Sequence, residues 1–225
     1  MIITGHRGAA KLEPENTLRS IQKAIDLGVD QIEIDLHLTR DRHLVVIHDA
    51  SVDRTTEGHG AVADFTLAEI KQLDAGAGER IPTLQEVIDL VRGKATLQIE
   101  IKGPGTTEPV VRTVAQNGIE SEVILTSFVH DRLREAHRLN PNIALGALWS
   151  QAPSNACEQA IEIGAEALHI QHQYIDADLV QNVHEHGLQI RAWNPDTIEE
   201  MERVIDLKVD AVGSNRPDLL IAITR

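Results

Sequence analysis

Three acidic residues occur at spacings that suggest chemistry. The run "QIEIDLHL" alternates, so as a strand it carries Glu33, Asp35 and His37 on one face and Ile32, Ile34 and Leu36 on the other. "TLQIEIKG" repeats the arrangement, with Gln98, Glu100 and Lys102 opposite Leu97, Ile99 and Ile101. If the two runs are neighbouring parallel strands, Glu33, Asp35 and Glu100 converge on one interior point near the strands' C-terminal ends. Unpaired buried carboxylates are costly, so such a cluster calls for a cation. Oxygen donors without cysteine favour Mg²⁺, Ca²⁺ or Mn²⁺ over structural zinc. The competing reading is the exposed polar face of an antiparallel edge. Lys102, two residues beyond Glu100, serves either as a counter-ion for the cluster or as a grip on an anionic substrate oxygen.

The chain has 11 histidines. For His37, His43, His59, His130, His137, His169, His172, His184 and His186 the default is a surface, helix-face or packed-strand position. His6 and His48 differ in context. His6 lies in "GHRG" at the end of the first apolar run, between glycines that allow close backbone approach to a ligand. His48 ends "LVVIHD" beside Asp49, which can orient or charge an imidazole. Two histidines at strand ends near a metal suit general acid and base work at neutral pH. Arg7 and Lys102 are the remaining strand-tip cations, both suited to phosphate, Arg7 by its bidentate fork. Glu15-Asn16-Thr17 reads locally as a helix start. Cys157 reads as a small buried apolar residue; as the only cysteine it excludes an internal disulfide and is compatible with a reducing compartment.

These residues need a scaffold that gathers strand ends. Strand-length runs occur at Met1–Gly5, Asp30–Thr39, Leu44–His48, Ala95–Lys102, Val123–Ser127, Ile143–Leu148, Ala167–Gln171, Leu188–Trp193 and Ala211–Ser214. Helical patterns lie between most of them, from Asn16 to Leu27 for example. Thr83-Leu84-Gln85-Glu86 forms a capping box that opens another helix. A loose repeat, "AIDLGVDQIEIDL", "AIEIGAEALHI" and "VIDLKVDAVGS", joins a helix end to a buried strand. Strands this apolar are parallel and covered by helices. Counting Leu44–His48 with the second unit gives eight βα units, which predicts a small TIM (β/α)8 barrel in one domain over residues 1–225, with an insertion at about 49–80. A doubly wound open sheet competes, but "GHRGAAK" matches its G-x-G-x-x-G phosphate loop poorly.

The 225 residues suffice for a substantial core. No segment approaches the roughly 18 consecutive apolar residues of a membrane helix, so no membrane insertion is expected. A net charge of −14 disfavours nucleic acid and anionic membranes as partners, and an anionic substrate would need a local cation. No basic segment followed by an apolar one opens the chain, so the default expectation is cytoplasmic. Nothing in the sequence fixes an oligomeric state.

"GHRG", "PENT", "EIDLHLTRD", "VVIHD", "DRTTEGHG", "PTLQEV", "IEIK", "SF" and "AWN" occur in this order, and together they resemble the glycerophosphodiester phosphodiesterase family from residue 3 to about 218. The resemblance implies a TIM barrel and a small-molecule glycerophosphodiester substrate. It implies that Glu33, Asp35 and Glu100 bind a divalent metal, Mg²⁺ or Ca²⁺ with Mn²⁺ as a third candidate, and that His6 and His48 are the catalytic pair. Arg7 and Lys102 would hold the phosphate, Trp193 the alcohol side, and Glu15 and Asn16 would support the metal and His6. His172 is a further candidate for substrate contact. Three departures stand out. In "LHIQHQYID", Gln171 replaces the proline of a His-Pro-His-His-like run. The family's Thr-Asp-x-Pro is Ser214-Asn215-Arg216-Pro217 here, and the usual Thr after Trp193 is Asn194. The implied reaction is hydrolysis to sn-glycerol 3-phosphate and an alcohol. Alternatives are a lyase of the same superfamily that stops at a cyclic phosphate, a metal-independent phosphate-binding barrel and a module that has lost turnover.

Overall fold

The structure is a computed structural model that describes residues 1–225. Strands and helices alternate from the start: β1 (Ile2–Gly5), α1 (Leu18–Leu27), β2 (Gln31–Leu38), β3 (Leu44–Val46), α2 (Leu67–Ile70), α3 (Leu84–Val91), β4 (Thr96–Ile101) and α4 (Thr107–Asn117). The second half continues with β5 (Val123–Ser127), α5 (His130–Leu139), β6 (Ala144–Trp149), α6 (Ala156–Ile163), β7 (Ala167–Gln171) and α7 (Ala177–Glu185). It ends with β8 (Gln189–Trp193), α8 (Ile198–Asp206), β9 (Ala211–Ser214) and α9 (Pro217–Thr224). Hydrogen bonding runs β1-β9-β8-β7-β6-β5-β4-β2, and β2 pairs back with β1, which closes an eight-stranded barrel. Its strand pairings are parallel, so every strand's C-terminal end opens on one face. This is the predicted TIM barrel.

The expected alternation is realised. Ile32, Ile34, Leu36, Leu97, Ile99 and Ile101 belong to the apolar cluster between barrel and helices. The alternate residues point inward. The loose repeat also has its physical basis. Gly28 (φ 81°) and Gly164 (φ 81°) end α1 and α6 in the left-handed conformation, and Lys208 (φ 65°) adopts it at the end of α8 without being glycine.

Two elements differ from expectation. Leu44–His48 stays with the second unit, as counted, but only part of it is strand. Its first three residues form β3, which pairs antiparallel to β2 outside the closed sheet, and His48 lies beyond it. Alternation alone cannot tell a barrel strand from a hairpin partner, because both bury one face. The helix expected from Asn16 begins at Leu18. Thr17 is its N-cap, accepting from the Ser20 N–H, and Asn16 sits at φ 58°. The segment 49–80 packs beside β3 on a small apolar cluster of its own that includes Val45, Ile47, Val52, Val62 and Ile70.

The barrel interior is polar below its mouth. Arg191 donates to Gln31 (2.8 Å) and Gln189 (2.7 Å), and Thr4 donates to Gln31 (3.3 Å). His169 fits because its ring lies against Gly146 of β6, where a Cβ would be 2.3 Å from its Nε2. No helix is long and apolar enough to cross a membrane.

Candidate active site

The turn after β1 is fixed before it presents any side chain. The His6 N–H donates to the Ser214 carbonyl (3.0 Å), and the Ser20 hydroxyl donates to the Arg7 carbonyl (2.8 Å). The flanking glycines are required by this turn itself. A Cβ on Gly5 would lie 2.3 Å from the Gly8 carbonyl oxygen, and one on Gly8 (φ +83°) 2.5 Å from the Ser20 backbone. Arg7, at φ 51°, donates its backbone N–H to Glu33 (3.0 Å) while its guanidinium reaches Glu15 at 2.8 Å and Asp35 at 3.3 Å.

Register brings the carboxylates together, since Asp35 on β2 pairs with Glu100 on β4. One oxygen from each of Glu33, Asp35 and Glu100 lies within 4.8 Å of the others. Burial and the neighbouring Asp35 push Glu33 well above the usual carboxylate range, and the same causes raise Glu100 to about 7. Asp35, also buried, is held below it by Arg7 and other nearby cations. Two of the three acids thus resist ionisation because of burial and the carboxylate beside them, and Asp35 Oδ1 is buried without a hydrogen-bond partner. This all-oxygen donor set fits a hard divalent cation. Asn16 braces it by donating to Asp35 Oδ2 (2.9 Å). Lys102 lies 3.1 Å from Glu100, 3.7 Å from Asp35 and 3.1 Å from His48 Nε2, so it neutralises the cluster while touching an imidazole.

His48 is held from the insertion. Its Nδ1 is 2.5 Å from Asp49, and Arg54 donates to Asp49 (2.7 Å) and, through two nitrogens, to Glu15 (2.9 and 2.7 Å). Ion pairs therefore run from Asp49 through Arg54 and Glu15 to Arg7. Glu15 thus supports Arg7, and Asn16 supports Asp35. Neither hydrogen-bonds His6, whose Nδ1 instead meets Asn215 Oδ1 at 2.7 Å.

A cavity of about 240 Å³ opens at the barrel mouth. His6, Arg7, Glu33, His48, Glu100, Lys102 and Trp193 all line it. Trp193 packs edge-on against Phe128, with ring centroids 5.8 Å apart. The indole N–H of Trp193, the side-chain carbonyl of Asn194 and His169 Nε2 are buried without a protein partner. His172 is not brought to the cavity. It sits in a short helical turn after β7, with its ring 4.0 Å from Glu200 and its carbonyl held by Arg203. The strand geometry gives the inward position to His169 instead, and the period-two pattern of "ALHIQ" carried that signal. Arg54, Asp196 and Asn215 had no such signal, because their roles depend on contacts between distant segments.

A parallel eight-stranded barrel with paired imidazoles and clustered carboxylates at its C-terminal mouth is the layout of a TIM-barrel enzyme. The chain belongs to the glycerophosphoryl diester phosphodiesterase family, whose model matches residues 6–219. A glycerophosphodiester phosphodiesterase of Caldanaerobacter subterraneus is 40% identical over all of this chain and 98% of its own length. An Oleispira antarctica phosphodiesterase solved with the product sn-glycerol-3-phosphate superposes with TM-score 0.91 at 30% identity, covering 99% of this chain and 96% of that one. A structure from Galdieria sulphuraria, described as a putative glycerophosphodiester phosphodiesterase, gives 0.92 at 28% identity, covering 99% and 96%.

Proposed function

We propose that this protein hydrolyses glycerophosphodiesters to sn-glycerol 3-phosphate and an alcohol, with Glu33, Asp35 and Glu100 as ligands of a divalent cation, Mg²⁺ or Ca²⁺. The observation that carries this reading is the meeting of His6 and His48 over one carboxylate cluster in a chain of this family. Such a cation supplies Lewis-acid polarisation of a phosphoryl oxygen. The side chains do the rest. One imidazole accepts the proton of the attacking oxygen, which is water or else the glycerol 2-hydroxyl followed by water opening the cyclic phosphate; the other protonates the departing alcohol, and one P–O bond forms as another breaks. Arg7 and Lys102 place positive charge beside the phosphoryl oxygens. The free indole N–H of Trp193 and the Phe128 ring flank the alcohol side. Glu15 and Asn16 hold Arg7 and Asp35 in place, and a single domain spanning residues 1–225 contains the whole site.

The test is release of glycerol 3-phosphate from glycerophosphocholine with and without a chelator. Loss of activity on chelation and its return with added Mg²⁺ or Ca²⁺ are expected. Activity indifferent to chelator would overturn the metal requirement, and a cyclic phosphate as the sole end product by phosphorus NMR would overturn hydrolysis. Glu100→Ala is expected to abolish the calorimetric signal of metal titration.

A further inference from the structure

The residue that departs from the family's Thr-Asp-x-Pro motif is the one that touches His6. Asn215 Oδ1 lies 2.7 Å from His6 Nδ1, and Asn215 Nδ2 donates to Asp196 Oδ2 (2.8 Å). Asp196 follows β8 and Asn215 follows β9, so the contact joins two adjacent strand ends. Asp196 Oδ1 accepts from the Asn215 backbone N–H (2.9 Å) and the Ser214 hydroxyl (3.0 Å), and Lys11 Nζ sits 3.0 Å from Oδ2. Burial raises the Asp196 carboxyl, but these hydrogen bonds outweigh it and hold the group below the usual carboxylate range.

A deduction about protons follows. An ionised carboxylate only accepts, so the group Asn215 turns toward Asp196 must be its NH₂. The other end of the amide, turned toward His6, is then its carbonyl oxygen, which also only accepts. His6 Nδ1 must therefore carry a hydrogen, which leaves Nε2 as the atom facing the cavity, 3.7 Å from Glu33. The acid absent from position 215 is supplied by Asp196, one hydrogen bond farther from His6, and acts through the amide. We propose that Asp196, by fixing the Asn215 amide, is a positioning residue that sets the tautomer and ring orientation of His6. This rests on His6 exchanging a proton with substrate, as in the proposed function.

The pairing suggests a reciprocal exchange. Asn215→Asp sets two carboxylates against each other. Asp196→Asn removes the charge that orients the amide. The double variant Asp196→Asn/Asn215→Asp restores one acid and one amide in reversed order. Each single variant is expected to lower kcat about tenfold with KM unchanged, and the double variant to recover most of the loss. In histidine-labelled wild-type protein, with His6→Ala used to assign the signal, nitrogen NMR is expected to show His6 protonated at Nδ1. That measurement stands even if a single variant misfolds. Protonation at Nε2 alone would overturn the proposal, as would a double variant no better than either folded single variant. If His6→Ala is inactive while Asp196→Asn turns over normally, this inference fails and the proposed function stands. If His6→Ala turns over at the wild-type rate, the proposed role of His6 fails with it.

Discussion

The two histidines of the barrel mouth are held by opposite means. His48 meets a carboxylate directly, and Asp49 is tied through Arg54 to Glu15. His6 meets a neutral amide, with the acid one bond farther away. A full charge touches one ring and only a dipole the other. Burial, with Arg7 beside it, lowers the His6 pKa to about 4, so this ring is neutral at neutral pH. The proposed acid–base pair needs groups with unlike environments, and here one flank is ionic, with the His48 side chain 30% exposed, while the other, with the His6 side chain 15% exposed, is uncharged at the point of contact.

The comparison can be broken outright by removing the rings. His6→Ala and His48→Ala are each expected to lower kcat for glycerophosphocholine by about 100- to 10,000-fold with circular dichroism unchanged. Near-wild-type turnover by either would end its side of the comparison. The partners come next. Asp49→Ala removes a charge-assisted bond and is expected to cost about 10- to 100-fold in kcat, more than Asn215→Ala, which removes a neutral one. Equal losses would mean that the difference in partner charge has no catalytic consequence. Arg54→Ala leaves Asp49 on His48 and removes only a partly exposed brace. Its cost is expected to stay below about fivefold.

Acid stability should show the smallest effect. Asp49 and Asp196 are both held below the ordinary carboxylate range, Asp49 chiefly by Arg54 and His48, Asp196 by the hydrogen bonds that overcome its burial. In the unfolded chain they bind protons at a higher pH than in the fold. Their contribution is therefore complete above roughly pH 5 and declines as pH falls through about 4 toward their folded values. Denaturation midpoints measured between pH 7 and 3 should fall on the acid side, and both Asp49→Asn and Asp196→Asn should flatten that fall. A variant as acid-sensitive as the wild type would show that its carboxylate is not stabilised by the fold.

Much of the site was legible because it obeys a local rule. Alternation in "QIEIDLHL" and "TLQIEIKG" settles which side chains enter a barrel, and a parallel register then sets Asp35 beside Glu100. The same rule applied to "ALHIQ" would have preferred His169 to His172. Asp49 was legible for a simpler reason, being adjacent to His48 in the chain. The glycines of "GHRG" were read for close approach to a ligand, and the contact with Ser20 that requires Gly8 was not legible, because it lies twelve residues away.

By itself, then, the amino-acid order determined the strand and helix periods and the inward faces, since these depend on neighbours within a few residues, and the family, through short motifs in a fixed order along the chain. Tertiary structure alone decided that β3 lies outside the barrel, that Arg54 ties Asp49 to Glu15, and that the amide at position 215 leans on Asp196. Those outcomes depend on where separate strand ends arrive in space. A hydrogen bond is a matter of a few tenths of an ångström, and no local periodicity encodes which distant partner comes that close.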